Sequence, residues 1–379
     1  MDSMQWIDSH EQEIIATYKH LHTIPELGHK EFKTSAFLAE ELKKAGIEVE
    51  EKVDGVTGLI ATIRGREPGI TFAVRADMDA LPLTEETGLP FASTHPGVMH
   101  ACGHDANSTM ALWTAKAVAA AGIKRGAIKF VFQPAEECLT GAKNMMASGK
   151  LKGIDEMVGI HFRIKSEAKF GEATPAVAHA AICPLKVTVR GKGAHGARPH
   201  QGINAAEVAG LITHAVSLVH CDPCVSHSAK PTRILVDTGT FNIIPEKAEM
   251  YFDLRAQTNE VMDFQLERVT RAITKAAEAV GASAEIEIMG RLPAAVMDQT
   301  LIAETSAAIT QVLGSALPPI QVAGSEDFHI FAIEGGMRTT VIGLGTDAET
   351  HHNNKVVYNL EAIPLGVKIL TTLALNKLA

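Results

Sequence analysis

Thiol, imidazole and carboxylate side chains recur in a few short segments of this sequence. These are Ala76-Asp77-Met78-Asp79, His100-Ala101-Cys102-Gly103-His104-Asp105, Gln133-Pro134-Ala135-Glu136-Glu137, His161 and His351-His352. Together they are the donors zinc accepts, and manganese accepts the carboxylate and imidazole part of the set. Singly, each has an ordinary explanation. Cys102 reads as an inert buried thiol, Glu136-Glu137 as a solvated acidic pair, His161 as a satisfied histidine and His351-His352 as surface. Cys221-Asp222-Pro223-Cys224 is a lone CxxC without a second pair and reads as structural.

A shared site needs elements that bring these segments together. Apolar spacing predicts helices over residues 11–22, using Ile14, Ile15, Tyr18 and Leu21, and over 35–45, stopping at Gly46. Residues 59–63, 70–75, 127–132 and 157–160 read as strands, and 108–121 as an alanine-rich helix. Strands alternating with helices predict an α/β layer on a largely parallel sheet. Ligands of such sheets gather at the carboxyl ends of the strands. There the strands run into Asp77, Glu136-Glu137 and His161, while Cys102 and His104 fall in a loop before a helix and His351-His352 in a late loop.

The pattern changes near Pro184. Leu185–Arg190 alternates as a half-exposed strand does. A helix over 204–219 follows, then strands over 233–242 and 248–255 joined by a Pro-Glu-Lys turn, a long helix over 260–280 and a strand over 282–289. That order is βαββαβ, a ferredoxin-like unit. Helix, strand and helix resume over 301–313, 339–343 and 364–375. The sequence therefore reads as an α/β domain, residues 1–183 and 294–379, with a second domain, 184–293, inserted into it.

The length of 379 residues supports two domains, since single cores stop growing near roughly 250–300 residues. Charged residues make up 21% and hydrophobic ones 46%, which excludes wholesale disorder. A net charge of −9 argues against nucleic acid or an anionic membrane as partner, and 5% aromatics against a base-stacking platform. The acidic N-terminus does not read as a secretory signal. The longest charge-free run, 305–325, is broken by Gly314, Pro318 and Pro319 and does not read as a membrane span. Five cysteines make no disulfide framework, so a cytoplasmic location is expected.

Seven motifs stand in order along the chain: Arg75-Ala-Asp-Met-Asp-Ala-Leu-Pro82, Glu86-Thr-Gly-Leu-Pro90, His100-Ala-Cys-Gly-His-Asp105, Phe132-Gln-Pro-Ala-Glu-Glu137, Gly193-Ala-His-Gly-Ala-Arg-Pro-His200, Asn242-Ile-Ile-Pro245 and Gly324-Ser-Glu-Asp-Phe328. In them the chain resembles the aminoacylase/carboxypeptidase-type metallopeptidases, the group that holds hydrolases of hippurate, aminobenzoyl-glutamate and indole-acetyl-amino acids. The resemblance implies a zinc-exopeptidase-like catalytic domain with a ferredoxin-like lid and dimerisation domain. It implies a metal-dependent amidohydrolase acting on N-acyl-amino acids, with two divalent ions per subunit, zinc or manganese. Cys102, His104, Glu137, His161 and His352 match the ligand positions, Glu136 the general base and Asp77 a carboxylate that orients a ligand. Asn242 and Arg255 match lid positions that hold the substrate carboxylate, and Gly324 matches a further substrate-binding position. His195 matches a lid histidine that reaches a neighbouring subunit's site and stabilises the oxyanion. A homodimer through the lid follows, with closure hinged near Pro184 and Pro293.

Three departures from the family pattern stand out: Asn107 in place of a histidine, Arg163 soon after His161, and Asn354 in place of a proline. Arg163 near a pocket would favour a carboxylate-bearing ligand, or it faces solvent. Two other readings compete. Cys102 as nucleophile with His104 as base leaves Glu136, Glu137, His161 and His352 without a role, and no GxSxG elbow supports serine chemistry. A non-catalytic binding relative of the same fold is the other.

Overall fold

The run around Ile70 belongs to a longer strand, Glu67–Asp77, at the centre of a seven-stranded sheet. The structure, a computed structural model, describes residues 2–379. Strand order across the sheet is Glu48–Glu51, Leu59–Arg64, Arg125–Gln133, Glu67–Asp77, Glu156–Arg163, Arg338–Gly345 and Ala173–Thr174. The four strands from Arg125–Gln133 to Arg338–Gly345 are parallel to one another, and the outer pairings are antiparallel. The expected sheet is thus parallel only in its middle. All eight residues of Glu156–Arg163 are buried, as both faces of a parallel centre require.

Helices cover this sheet. His104–Ala121 is buried nearly all round, which its alanine-rich sequence permits. It packs on Glu11–Thr23 and on Ala362–Leu378. Its approach to the last helix is close: a Cβ added to Gly366 would lie 2.1 Å from Met110 Sδ. Pro364 falls in the first turn of that helix, where its missing N–H costs nothing.

The chain divides into two compact units. The first holds the residues up to Ala178 with Val296–Ile320 and Asp327–Ala379, and the second His179–Ala295 with Gln321–Glu326. The sequence reading put the breaks at 184 and 294 and did not foresee that 321–326 groups with the second unit.

That second unit carries an antiparallel sheet in the order His227–Leu235, Lys247–Ala256, Leu185–Arg190, Ser283–Ile288. Helices Ala205–Ser217 and Asn259–Glu278 pack together and on the sheet. Both are capped by side chains: Asn204 accepts from the Ala206 N–H and Thr258 from the Val261 N–H. Lys247–Ala256 alternates buried and part-exposed residues, sending Met250, Phe252 and Leu254 into a core with Val187, Ile212, Val269 and Ile273. Connectivity and strand order are those of the expected ferredoxin-like βαββαβ unit.

One strand lies elsewhere than expected. The segment predicted as 233–242 is a strand at His227–Leu235. Pro231 falls inside this strand, which lies at the sheet edge, where proline is tolerated. Beyond it, Gly239 takes φ +71 and donates its N–H to Asp237 Oδ1, which turns the chain. The simple turn expected before the next strand is replaced by Ile243–Ile244, paired with Ala194–His195.

Candidate metal centre

Adjacent parallel strands deliver the acidic and imidazole groups. Glu67–Asp77 ends on Asp77, with Asp79 just beyond it. Arg125–Gln133 ends one residue before Pro134-Ala135-Glu136-Glu137. His161 lies inside Glu156–Arg163 rather than after it, and helix His104–Ala121 starts at His104 rather than at the expected Ser108. Gly103, at φ +91, precedes the helix in the left-handed region. A side chain there would be strained and its Cβ would lie 3.3 Å from the Phe162 ring, so the turn between Cys102 and His104 requires glycine.

Donor atoms of Cys102, His104 and His161 all lie within 4.8 Å of one another, and so do those of Cys102, Glu137 and His352. Cys102 belongs to both groups. Its Sγ is 3.4 Å from His161 Nε2 and 3.3 Å from His352 Nε2, and Glu137 Oε1 is 3.2 Å from His352 Nε2. Donors on one tetrahedral ion, at about 2.0–2.3 Å from it, stand roughly 3.3–3.7 Å apart. The spacing fits two ions sharing a thiolate. Glu136 forms a third such group with His104 and Glu137. His352 is the member of the histidine pair that reaches Cys102. His351 instead donates from Nδ1 to the Tyr358 hydroxyl at 2.8 Å, and Tyr358 donates to Ala101 O at 3.1 Å.

His104 is oriented from behind. Its Nδ1–H donates to the backbone oxygen of Asp79 at 2.9 Å, leaving the buried Nε2 without a hydrogen-bond partner among the described residues. A buried imidazole nitrogen so exposed to nothing is what a ligand looks like before its ion. Asp79 Oδ2 also accepts the Glu137 N–H at 3.0 Å. Sequence reasoning named Asp77 as the orienting carboxylate and missed Asp79; the repeat of Asp two residues on was the available signal. Asp77 is 3.8 Å from His104 Nε2 and accepts hydrogen bonds from Arg75 and Asn107 at 2.5 and 2.8 Å. Arg75 in turn donates to Gln133 and to Asp327.

Charge follows from this packing. Burial pushes the Cys102 thiol up to about 12, with His104 opposing. Burial also pushes the Asp77 carboxyl up, but His104 and Arg75 outweigh it and hold that group well below the usual carboxylate range. The same contest, with His352 and His104 as winners, lowers Glu137. Without an ion the thiol is protonated, and a dication beside it supplies the positive charge that makes it a thiolate.

Two departures from the family pattern touch this centre. Asn107 is buried and donates to Asp77. Arg163 is buried rather than solvent-facing: Nε donates to Phe162 O at 2.7 Å and Nη2 lies 2.8 Å from His161 Nδ1. Burial, then the Arg163 cation, drives His161 well below the ordinary histidine range. Further back, buried His22 bridges Asp105 and Glu85 at 2.6 and 3.3 Å.

The remaining expected site residues lie on the second unit. His195 is exposed, pairs across the ribbon with Ile243, and accepts the Ala197 N–H on Nδ1. Asn242 is its neighbour there, its backbone oxygen accepting the Gly196 N–H at 2.7 Å. Arg255 grips Asp253 through Nε and Nη2 and donates from Nη1 to Ala323 O at 3.0 Å, next to Gly324. The structure thus groups His195 with Asn242 and Arg255 with Gly324.

Known proteins resemble this chain over nearly its whole length. The profile of peptidase family M20/M25/M40 matches residues 73–376. Thermostable carboxypeptidase 1 of Saccharolobus solfataricus is 33% identical over 375 residues, covering 96% of this chain and 95% of that protein. The N-acetyldiaminopimelate deacetylase of Listeria monocytogenes is 34% identical over 371 residues, covering 94% and 97%. A crystal structure of a dinuclear metal binding peptidase of the M20 family from Bacillus subtilis superposes with a TM-score of 0.84 at 29% identity, covering 98% of this chain and 99% of the other.

Proposed function

The chain belongs to peptidase family M20/M25/M40, and from that premise we propose that it hydrolyses the amide bond of N-acyl-amino acids with two divalent ions held by Cys102, His104, Glu137, His161 and His352. It is an amidohydrolase, and the observation that carries the reading is the shared position of Cys102 between two donor groups. The relatives' names, a carboxypeptidase and an N-acetyldiaminopimelate deacetylase, support the substrate class. Zinc suits the thiolate, and manganese suits the remaining ligands.

Bound ions would lower the pKa of water and polarise the amide carbonyl. Glu136, buried beside the ligands, takes the proton from the attacking water and returns it to the departing amine. Glu137 cannot share that task while it serves as a ligand. Arg255 and Asn242, with Gly324 alongside, hold the substrate's carboxylate; Asp253 keeps the guanidinium planar fork in place. His195 stabilises the oxyanion, a contribution of about 3–4 kcal/mol for a single such donor. The second unit acts as the lid, closing about the chain near Pro184 and Pro293, and as the surface of a homodimer. Its exposed Leu218, Ile234 and Leu235 support that last role.

No helix among the described residues is long and apolar enough to cross a membrane. All five cysteines are unpaired, which supports a reducing, cytoplasmic setting. A non-catalytic role is not favoured by Asn107 or Arg163, since both stand behind the donors and replace none of them.

The test is a screen of metal-reconstituted protein against N-acetyl-, N-benzoyl- and indole-acetyl-amino acids. Hydrolysis of at least one is expected, lost on chelation and restored by zinc or manganese. Glu136→Gln should keep both ions and lose about 10²–10⁴-fold in kcat. Protein that carries two ions and cleaves nothing in the panel overturns the reading.

A further inference from the structure

Glu31 lies more than a hundred residues before the Glu136-Glu137 pair and is wholly buried. Its carboxylate accepts three hydrogen bonds. Oε1 takes the backbone N–H of His29 at 3.0 Å and of Ala135 at 2.8 Å, and Oε2 takes the Thr57 hydroxyl at 2.8 Å. Both backbone donors belong to non-glycine residues with positive φ, His29 at +63 and Ala135 at +54. Such a conformation persists only where its surroundings enforce it. The two loops also touch: a Cβ on Gly28 would lie 3.1 Å from Ala135 Cα and 2.6 Å from Cys138 Sγ.

Ala135 opens the turn that presents Glu136 and Glu137. That turn is held at its far side by Asp79, through the Glu137 N–H, and closes on itself through Leu139 N–H to Glu136 O and Gly141 N–H to Ala135 O. Only Glu31 holds the Ala135 N–H among the described residues. We propose that Glu31 is a positioning residue for this reaction: it clamps Ala135 in its left-handed conformation and so fixes the direction of the Glu136 and Glu137 side chains. The proposal rests on Glu136 as base and Glu137 as ligand.

An acceptor, not a charge, is what this task needs. Burial lifts the Glu31 carboxyl to about 7, with Asp79 adding and the hydrogen-bond donors opposing, yet Oε1 accepts in either protonation state. Glutamine keeps that oxygen and can turn its amide toward Thr57. An apolar replacement leaves the Ala135 and His29 N–H groups buried without partners.

The experiment compares Glu31→Ala, Glu31→Gln and Thr57→Val in full-length protein. Each is assayed for kcat, KM and thermal midpoint, and the metal-free form is titrated calorimetrically with Mn²⁺. Glu31→Gln should stay within about threefold of wild type. Glu31→Ala should lose roughly 10–100-fold in kcat with KM little changed, as a misplacement near 1 Å does, and should bind Mn²⁺ more weakly. Thr57→Val should lower the midpoint while keeping kcat. Ala135→Gly added to Glu31→Ala should recover part of the lost kcat, because glycine takes positive φ unaided; this pair decides the matter if the single alanine variant folds poorly. Wild-type kcat and Mn²⁺ titration in Glu31→Ala, or no recovery by Ala135→Gly, overturns the proposal. Full turnover by Glu136→Gln would instead overturn the assignment of the base beneath it.

Discussion

The backbone oxygen of Asp79 receives the Nδ1–H of His104 at 2.9 Å, while the carboxylate of the same residue receives the N–H of Glu137. One residue therefore fixes the tautomer of one proposed ligand and the main chain of another. Replacing Asp79 by alanine removes the carboxylate contacts and keeps the carbonyl one. Groups of this kind are worth about 10–100-fold in metal affinity. Asp79→Ala is expected to weaken Mn²⁺ or Zn²⁺ binding by that much in calorimetric titration; unchanged affinity would show that the carbonyl suffices.

Arg163 sets a permanent cation against the outer nitrogen of His161. A neighbouring positive charge lowers the power of an imidazole to hold a dication. Arg163→Met keeps the bulk and removes the charge. It is expected to bind the ion on His161 several-fold more tightly, read from the second step of a metal titration. Weaker binding would mean that the guanidinium matters as a prop for the ring rather than as a charge.

His22 gives a pH-dependent term in stability. Burial alone would pull its pKa down, but the hydrogen bonds and charges of Asp105 and Glu85 raise it from 6.5 to about 9. A histidine raised on folding stabilises the protein fully below its unfolded value and loses that contribution as pH climbs through the folded one. The linkage amounts to ~3 kcal/mol, present below about pH 6.5 and gone above about pH 9. Wild type and His22→Gln compared by denaturant unfolding should differ most near pH 6 and converge by pH 10. A gap independent of pH would place the effect in packing alone.

How much of this was legible in the sequence depended on where the information sits. Leu185–Arg190 was readable to the residue because its alternation is local. The approach of Glu137 and His161 was readable because they follow or end apolar runs that a parallel sheet must align, whereas Cys102, His104 and His352 were expected in loops and were assigned by the family resemblance. Helix His104–Ala121 begins earlier than its apolar pattern because a left-handed glycine, not a capping side chain, starts it. Asp79 and Glu31 stayed hidden for a common reason. Each carboxylate accepts the backbone N–H of a distant residue, Glu137 for Asp79 and Ala135 for Glu31; the repeated Asp hints at a role for Asp79, but no side-chain pattern shows which backbone group is held.

Strand Arg338–Gly345 pairs in parallel with Glu156–Arg163, although the whole second unit is threaded between them. On the ribosome, the inserted unit is therefore complete and free to fold while the first sheet still lacks a strand. His352 emerges later still, so the second donor group, Cys102 with Glu137 and His352, is the last part of the proposed cage to be completed. A product truncated upstream of that histidine would lack the donor that joins Cys102 and Glu137 in the second group.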